Sequence, residues 1–195
     1  MAIMASGPSM SASVAESVHA AGIPAIAVNT TFRLVPWAWM LYAADTPWWT
    51  HKANADALQF GGLKVSIEQC AGDKNAPPGV HQLVNAGRVG YSADPTCVHT
   101  LANSGAQAMQ IAIKAGAAKV LLCGFDMHGG HWHGEHPQGL KANGRDSFDR
   151  WLAMFNEAAP LMKKNADIVN CTPGSALKCF RSAPLAQELA TCAAR

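Results

Sequence analysis

The sequence predicts one α/β domain over residues 1–195, a Rossmann-like three-layer fold with a mostly parallel sheet. Three observations predict it. Short apolar runs alternate with stretches of helical periodicity along the chain. The runs are apolar on both faces, as strands covered by helices on both sides must be. Four runs end in small or polar groups, Ser6-Gly7-Pro8-Ser9, Asn29-Thr30, Asp45-Thr46 and Gly124-Phe125-Asp126, which suits loops at the carboxyl edge of a parallel sheet.

Taken in order, residues 2–5 form a first strand, and residues 11–21 a helix stopped by Gly22. Residues 23–28 and 39–43 are the next strands. Between residues 50 and 99, Gly61-Gly62, Pro77-Pro78-Gly79 and Asp94-Pro95 signal turns, so irregular structure is expected around a strand at 63–67. Residues 103–115 form a helix capped by Asn103 or Ser104, with Gln107, Gln110 and Lys114 as a polar stripe, and Gly116 ends it. A strand at 119–123 leads into a Gly- and His-rich loop over 127–144. Phe148, Trp151, Leu152 and Phe155 mark an amphipathic helix up to Pro160. A last strand at 167–170 and a helix over 184–193 complete the chain.

The composition fits. Of the 195 residues, 49% are hydrophobic and 14% charged, and the formal net charge is +2. Low charge argues for a buried core and against disorder, and no basic stripe of a non-specific nucleic-acid binder is visible. Cys70, Cys97, Cys123, Cys171, Cys179 and Cys192 form no C-x-x-C pair, and Cys123, ending an apolar run, reads as a buried thiol. With no secretion signal or membrane-span pattern in the sequence, the expectation is a reduced, cytoplasmic protein without a membrane partner.

Chemistry concentrates at the strand ends. Ser6-Gly7-Pro8-Ser9 lies between a strand and a helix, where backbone N–H groups and the helix dipole favour an anion such as phosphate; a plain βα turn fits equally well. Asn103-Ser104-Gly105 opens a helix and offers a second set of N–H donors, or an ordinary cap. Asp45 and Asp126 each follow a strand and suit Mg²⁺ beside phosphates, a ribose hydroxyl, or an N-cap. Thr172 and Ser175, in Asn170-Cys171-Thr172-Pro173-Gly174-Ser175, sit where a base or ribose is held, or where the chain turns. Of Trp37, Trp39, Trp48 and Trp49, most are expected in the core.

The loop Asp126-Met127-His128-Gly129-Gly130-His131-Trp132-His133-Gly134-Glu135-His136-Pro137 holds four of the eight histidines. Imidazole titrates near neutrality, so a general base is favoured. The H-x-x-H-x-H spacing also admits zinc, as the lesser alternative, and a polar surface loop is the plainest reading.

These motifs together, with Tyr42-Ala43-Ala44-Asp45 and Trp48-Trp49, resemble a family of tailed-phage proteins labelled "norphogenetic protein", over nearly the whole chain. More distantly the chain is similar to bacterial lipooligosaccharide sialyltransferases, which use a CMP-activated sugar, and to archaeal hydroxymethyl-dihydropterin pyrophosphokinases. Where the sialyltransferases begin their loop with glycine, this chain has Ala5 or Ser6. The resemblance implies that Gly7, Pro8, Ser9 and Asn29 face a nucleotide, that Ser104 and Gly105 lie beside its phosphate, and that His131, His133 or His136 is the base. The expected function is a nucleotide-dependent transferase, a glycosyltransferase with a CMP-sugar or similar donor and a glycan or modified DNA base as acceptor, acting in the host cytoplasm if phage-encoded. The alternatives are a Mg²⁺-dependent pyrophosphokinase and a non-enzymatic zinc- or nucleotide-binding accessory. A homo-oligomer is compatible with the sequence.

Overall fold

The structure, a computed structural model, describes residues 1–68, 72, 74–140 and 145–193. Cys70 and the end of the His-rich loop at 141–144 lie outside the described residues. The sheet has nine strands in the order β6-β5-β4-β3-β2-β1-β7-β8-β9. Every pairing is parallel, a stronger result than the mostly parallel sheet expected.

From β1 (Ala2–Met4) the chain adds β2 (Ala25–Val28), β3 (Met40–Tyr42), β4 (Leu63–Ile67), β5 (His81–Asn85) and β6 (Cys97–Val98) outward on one side. It returns through α3 (Ser104–Lys114) and lays β7 (Lys119–Cys123) against the free side of β1. β8 (Asp167–Asn170) and β9 (Arg181–Ser182) follow. The winding direction reverses between β1 and β7, which makes this the switch point of the sheet.

Side chains alternate across the sheet and build two cores. Ile3, Ile26, Tyr42, Val65 and Leu122 face α3 and α4 (Arg145–Met162). Met4, Ala27, Leu41 and Leu121 face α1 (Ala12–Ala20), α2 (Thr46–Thr50) and α5 (Leu185–Ala193). The helix ends follow local rules: Ser11 accepts from the Val14 N–H and Asn103 from the Ala106 N–H, so Asn103 and not Ser104 is the cap of α3. α4 runs past the expected stop at Pro160 to Met162; the ring removes only one hydrogen bond so close to the helix end.

Two expectations change. The region after residue 50 is more regular than its turn signals suggest, since β4, β5 and β6 extend the sheet through it. The polar stripe of α3 is not a solvent face: Gln107 and Gln110 are buried. Gln110 accepts from the His99 N–H (3.0 Å) and donates to the His99 carbonyl (2.8 Å). Gln107 accepts from the Tyr42 hydroxyl (2.6 Å) and donates to the Thr100 carbonyl. The segment after β6 needs backbone partners, and the two amides supply them.

Cys97, Cys123, Cys171, Cys179 and Cys192 are free thiols. Burial pushes the Cys123 thiol up and Cys171 up to about 12, so neither is a reactive thiolate. Among the described residues no helix is long and apolar enough to cross a membrane.

The far edge of the sheet is tied by an ion network. Buried Glu188 of α5 meets Lys119 (2.8 Å) and Arg181 (2.7 Å), and Arg181 also meets Asp167 (2.8 Å). Hydrogen bonds from Arg181 and Lys119 hold the Glu188 carboxyl down to about 2, from an ordinary 4.5. Its stabilisation is therefore complete above the ordinary value and disappears as pH falls through about 2. Glu188→Gln is expected to cost about 1–3 kcal/mol at neutral pH. Denaturant unfolding should show that difference shrinking between pH 4.5 and pH 2.

Candidate functional site

The carboxyl edge carries a cavity of about 580 Å³. The tips of β7, β1, β2, β3, β4 and β5 form its floor, residues 128–140 roof it, and α3 and α4 close one side. The strand-edge loops identified in the sequence therefore do converge, with the exception of the one after β8.

Its geometry starts where the loops after β1 and β7 meet. Gly7 packs so close to the loop after β7 that a Cβ would lie 2.0 Å from Asp126 Oδ2 and 2.5 Å from the Gly124 carbonyl. Into that space Asp126 sends its carboxylate, which accepts from the Ser9 N–H (3.2 Å) and the Ser9 hydroxyl (2.9 Å). The Gly7 N–H donates to Gly124 and the Met10 N–H to Gly7. Gly7, Ser9 and Met10 thus spend their N–H groups inside the protein, and Pro8 has none. The anion this loop cradles is Asp126 itself, so glycine is needed here for the protein's own carboxylate, not for approach to a phosphate.

Ser6 lines the cavity, but its hydroxyl bonds the Val28 carbonyl (3.2 Å) and Thr31 Oγ1 (2.9 Å). Thr31 Oγ1 also receives the Trp132 indole N–H (3.1 Å), so this chain of bonds ties the roof to the floor. Thr172 and Ser175 are buried away from the cavity. The Thr172 hydroxyl accepts from the Phe125 N–H (2.9 Å) and the Ser175 hydroxyl donates to the Phe125 carbonyl (2.5 Å), bracing the segment that carries Asp126. Gly105 allows close packing: its Cβ would lie 2.8 Å from the Phe125 ring. Asn103, Ser104 and Gly105 nonetheless line the cavity and present the N-terminus of α3 to it.

Among the described residues, four non-glycine residues have positive φ: Asn29 (50°), Leu101 (42°), Ala102 (47°) and Met127 (58°). Asn29, Ala102 and Met127 line the cavity. Strained backbone of this kind costs about 1–3 kcal/mol per residue and gathers where a ligand is clamped.

Three of the four histidines of the roof form one cluster, and His128 lies apart at the Gly174 carbonyl (3.4 Å). Ring centroids are 5.1 Å apart for His131 and His133, 4.5 Å for His131 and His136, and 5.6 Å for His133 and His136. His131 and His136 line the cavity, whereas His133 stacks behind His131 at an interplanar angle of 5°. His131 Nδ1 lies 3.2 Å from the Ser6 carbonyl. A carbonyl only accepts, so Nδ1 carries the proton and Nε2 is left with its lone pair. Burial, then the neighbouring His131 and His136, push His133 down to about 4; burial and His131 also lower His136. Two neutral rings therefore back His131 at neutral pH. Among the described residues no three His, Cys, Asp or Glu side chains are arranged to hold a metal ion.

Sequence reasoning passed over Glu68, Asn85 and Arg150, all of which line the cavity. Glu68 directly follows the strand expected at 63–67, so the strand-tip rule already pointed to it, whereas Asn85 ends β5, a strand the sequence reading did not assign. Arg150 comes from α4, and no local signal marks it. Trp48 also lines the cavity, while Trp49 is buried with its indole N–H on the Ala43 carbonyl (2.9 Å).

Gly7→Ala is expected to destabilise the fold by about 1–3 kcal/mol or more, since rigid backbone of Gly124 stands in the way; thermal unfolding measures it. A histidine held neutral stabilises fully above its ordinary value of 6.5, and that contribution falls as pH drops toward about 4, because the unfolded chain takes up the proton first. Replacing His133 by Phe should flatten the stability profile in that window, read by denaturant titration at a series of pH values.

Comparison with protein-family models, curated proteins and solved structures finds no match, so the reading of this site stands on its geometry.

Proposed function

We propose that the protein is a nucleotide-dependent transferase, of glycosyltransferase type, in which His131 is the general base. The observation that carries the reading is His131 itself: its tautomer is set by the Ser6 carbonyl, and it stands in the wall of a cavity built at the strand tips of a parallel sheet. The chemistry requires a base with a free lone pair near an acceptor hydroxyl, and positive potential where a phosphate departs. His131 Nε2 takes the proton as the acceptor oxygen attacks the anomeric carbon of the donor. The bond from that carbon to the nucleotide's phosphate oxygen breaks, and the N-terminus of α3 with Arg150 stabilises the departing charge.

The cavity lining also carries both signs of charge, which suits a nucleotide. Arg150 and the start of α3 favour the phosphate, and Asp45 and Glu68 at the tips of β3 and β4 disfavour it there. β1 and β4 are three strand spacings apart, roughly 14 Å, room for phosphate at one end and nucleoside at the other. The acceptor, a glycan or a modified DNA base, approaches from the side of His131 and His136. Mg²⁺-assisted diphosphate transfer has less support, because both oxygens of Asp126 are taken by Ser9.

The test is a thermal-shift screen against CMP, UDP, GDP, ATP and NAD, with and without Mg²⁺. A true ligand should stabilise by about 2.7 kcal/mol at a hundredfold excess over Kd. Arg150→Ala is expected to weaken that binding, and His131→Ala to keep it while lowering transfer from the matching nucleotide sugar by about 10²–10⁴-fold. No stabilisation by any nucleotide, or full turnover in His131→Ala, would overturn the proposal.

A further inference from the structure

We infer that the cluster of His131, His133 and His136 is a pH-operated latch: while neutral, the three rings keep the roof seated over the cavity, and acid lifts the roof and opens it. The inference concerns the roof alone and holds whatever the cavity binds.

The three rings share one small space, with centroids 4.5, 5.1 and 5.6 Å apart. His133 Nε2 and His136 Nδ1 are buried without a hydrogen-bond partner. A neutral ring can turn its lone pair to such a place. A protonated ring donates from both nitrogens, and each buried N–H then needs an acceptor. Charging two of the rings also sets like charges at these short distances. The same segment makes the bonds that seat the roof: the Trp132 N–H (3.2 Å) and His131 Nδ1 (3.2 Å) meet the Ser6 carbonyl, and the Trp132 indole meets Thr31 (3.1 Å). Trp132 stands between His131 and His133 in the chain, so repulsion between those rings bears directly on these bonds.

The surrounding charges set the direction. Arg33, at the end of the turn Asn29–Arg33 and paired with Asp56 (2.9 Å), acts with His131 and His136 against a charge on His133, and His131 acts likewise on His136. Within the roof, Glu135 is exposed, His128 lies at the Gly174 carbonyl, and the Gln138 carbonyl meets His51 from the body (3.1 Å). Across the cavity, Asp126 gives both carboxylate oxygens to Ser9, Asp45 and Glu68 follow β3 and β4, and α4 adds the cation of Arg150. Burial first, and then the neighbouring rings, bring His133 down to about 4 and lower His136 while the roof is seated. Lifted into water, both rings return toward their ordinary 6.5. The seated roof is therefore favoured in full above 6.5 and loses ground as pH falls toward about 4, by about tenfold per pH unit for each proton that only the lifted form takes up.

The experiment is hydrogen–deuterium exchange on the full chain between neutral pH and about pH 5, corrected for the intrinsic exchange rate at each pH, with circular dichroism under the same conditions. Protection of the roof amides, the Trp132 N–H among them, is expected to fall by about tenfold or more over that range, while β1 and β7 stay far better protected than the roof and the dichroism is unchanged. In a His133→Phe/His136→Phe variant, which keeps two rings in place without their titrating nitrogens, the roof should stay protected in acid. Where that variant fails to fold, His133→Gln and His136→Gln serve instead, and each should lose part of the pH response. Roof protection that does not change with pH overturns the inference. So does a full pH response in the folded double variant or in both Gln variants. A roof that loses protection only together with β1 and β7 overturns it as well, since that is unfolding of the whole domain and not a moving roof.

Discussion

The carboxylate of Asp126, seated in the space that Gly7 leaves and held by the N–H and hydroxyl of Ser9, joins the two strands between which the chain reverses its winding. Much of the site depends on this clasp. It sets where the loop after β1 can run and so where the Ser6 carbonyl points. That carbonyl receives both the Trp132 N–H and His131 Nδ1, so it positions the roof and selects the tautomer of the candidate base. Behind it, Thr172 and Ser175 hold both sides of Phe125, and the Asp126 carbonyl accepts from Ala176. A buried carboxyl requires such partners, and they order the loops that wall the cavity.

The layers on either side serve the same edge. α3 crosses from the outer strand back to the switch point, and its buried glutamines grip the chain just before its own N-terminus. The helix start is thereby fixed relative to the sheet, and Gly105 lets it press against Phe125. Rigid placement of a helix N-terminus matters because its field acts only over the first turn. Strained backbone at Asn29, Ala102 and Met127 fits this picture of a rim held in shape by its surroundings.

The roof is held differently. Its glycines carry little packing, and its anchors are a few polar bonds: Trp132 to Thr31, His131 to Ser6, and His51 to the Gln138 carbonyl (3.1 Å). Three imidazoles lie together within this roof, His131 stacked on His133 and His136 tilted against both, and burial with the neighbouring rings pushes His133 and His136 toward the neutral form. A ligand beneath them would be shielded from water on the side of His131 and His136.

Much of the fold was legible in the order of residues. Apolar runs at 2–5, 23–28, 39–43, 119–123 and 167–170 marked strands because a strand covered on both faces must be apolar throughout, and Gly22, Asn103 and Gly116 punctuated helices because backbone chemistry at helix ends is local. The convergence of strand-end loops, and the gathering of histidines into one loop, were legible for the same reason. What each polar residue does there was not. Gly7 and Ser9 read as a ligand cradle until Asp126, more than a hundred residues later, is seen to fill it. Gln107 and Gln110 read as a wet stripe until an unpaired backbone segment is placed over them. Glu68, Asn85 and Arg150 became site residues only when strand order and the packing of α4 brought them to one cavity. Local sequence determines which elements form, because capping, turns and periodicity act within a few residues. Tertiary structure alone decides which hydrogen-bonding groups are already satisfied by distant parts of the chain and which are left for a ligand.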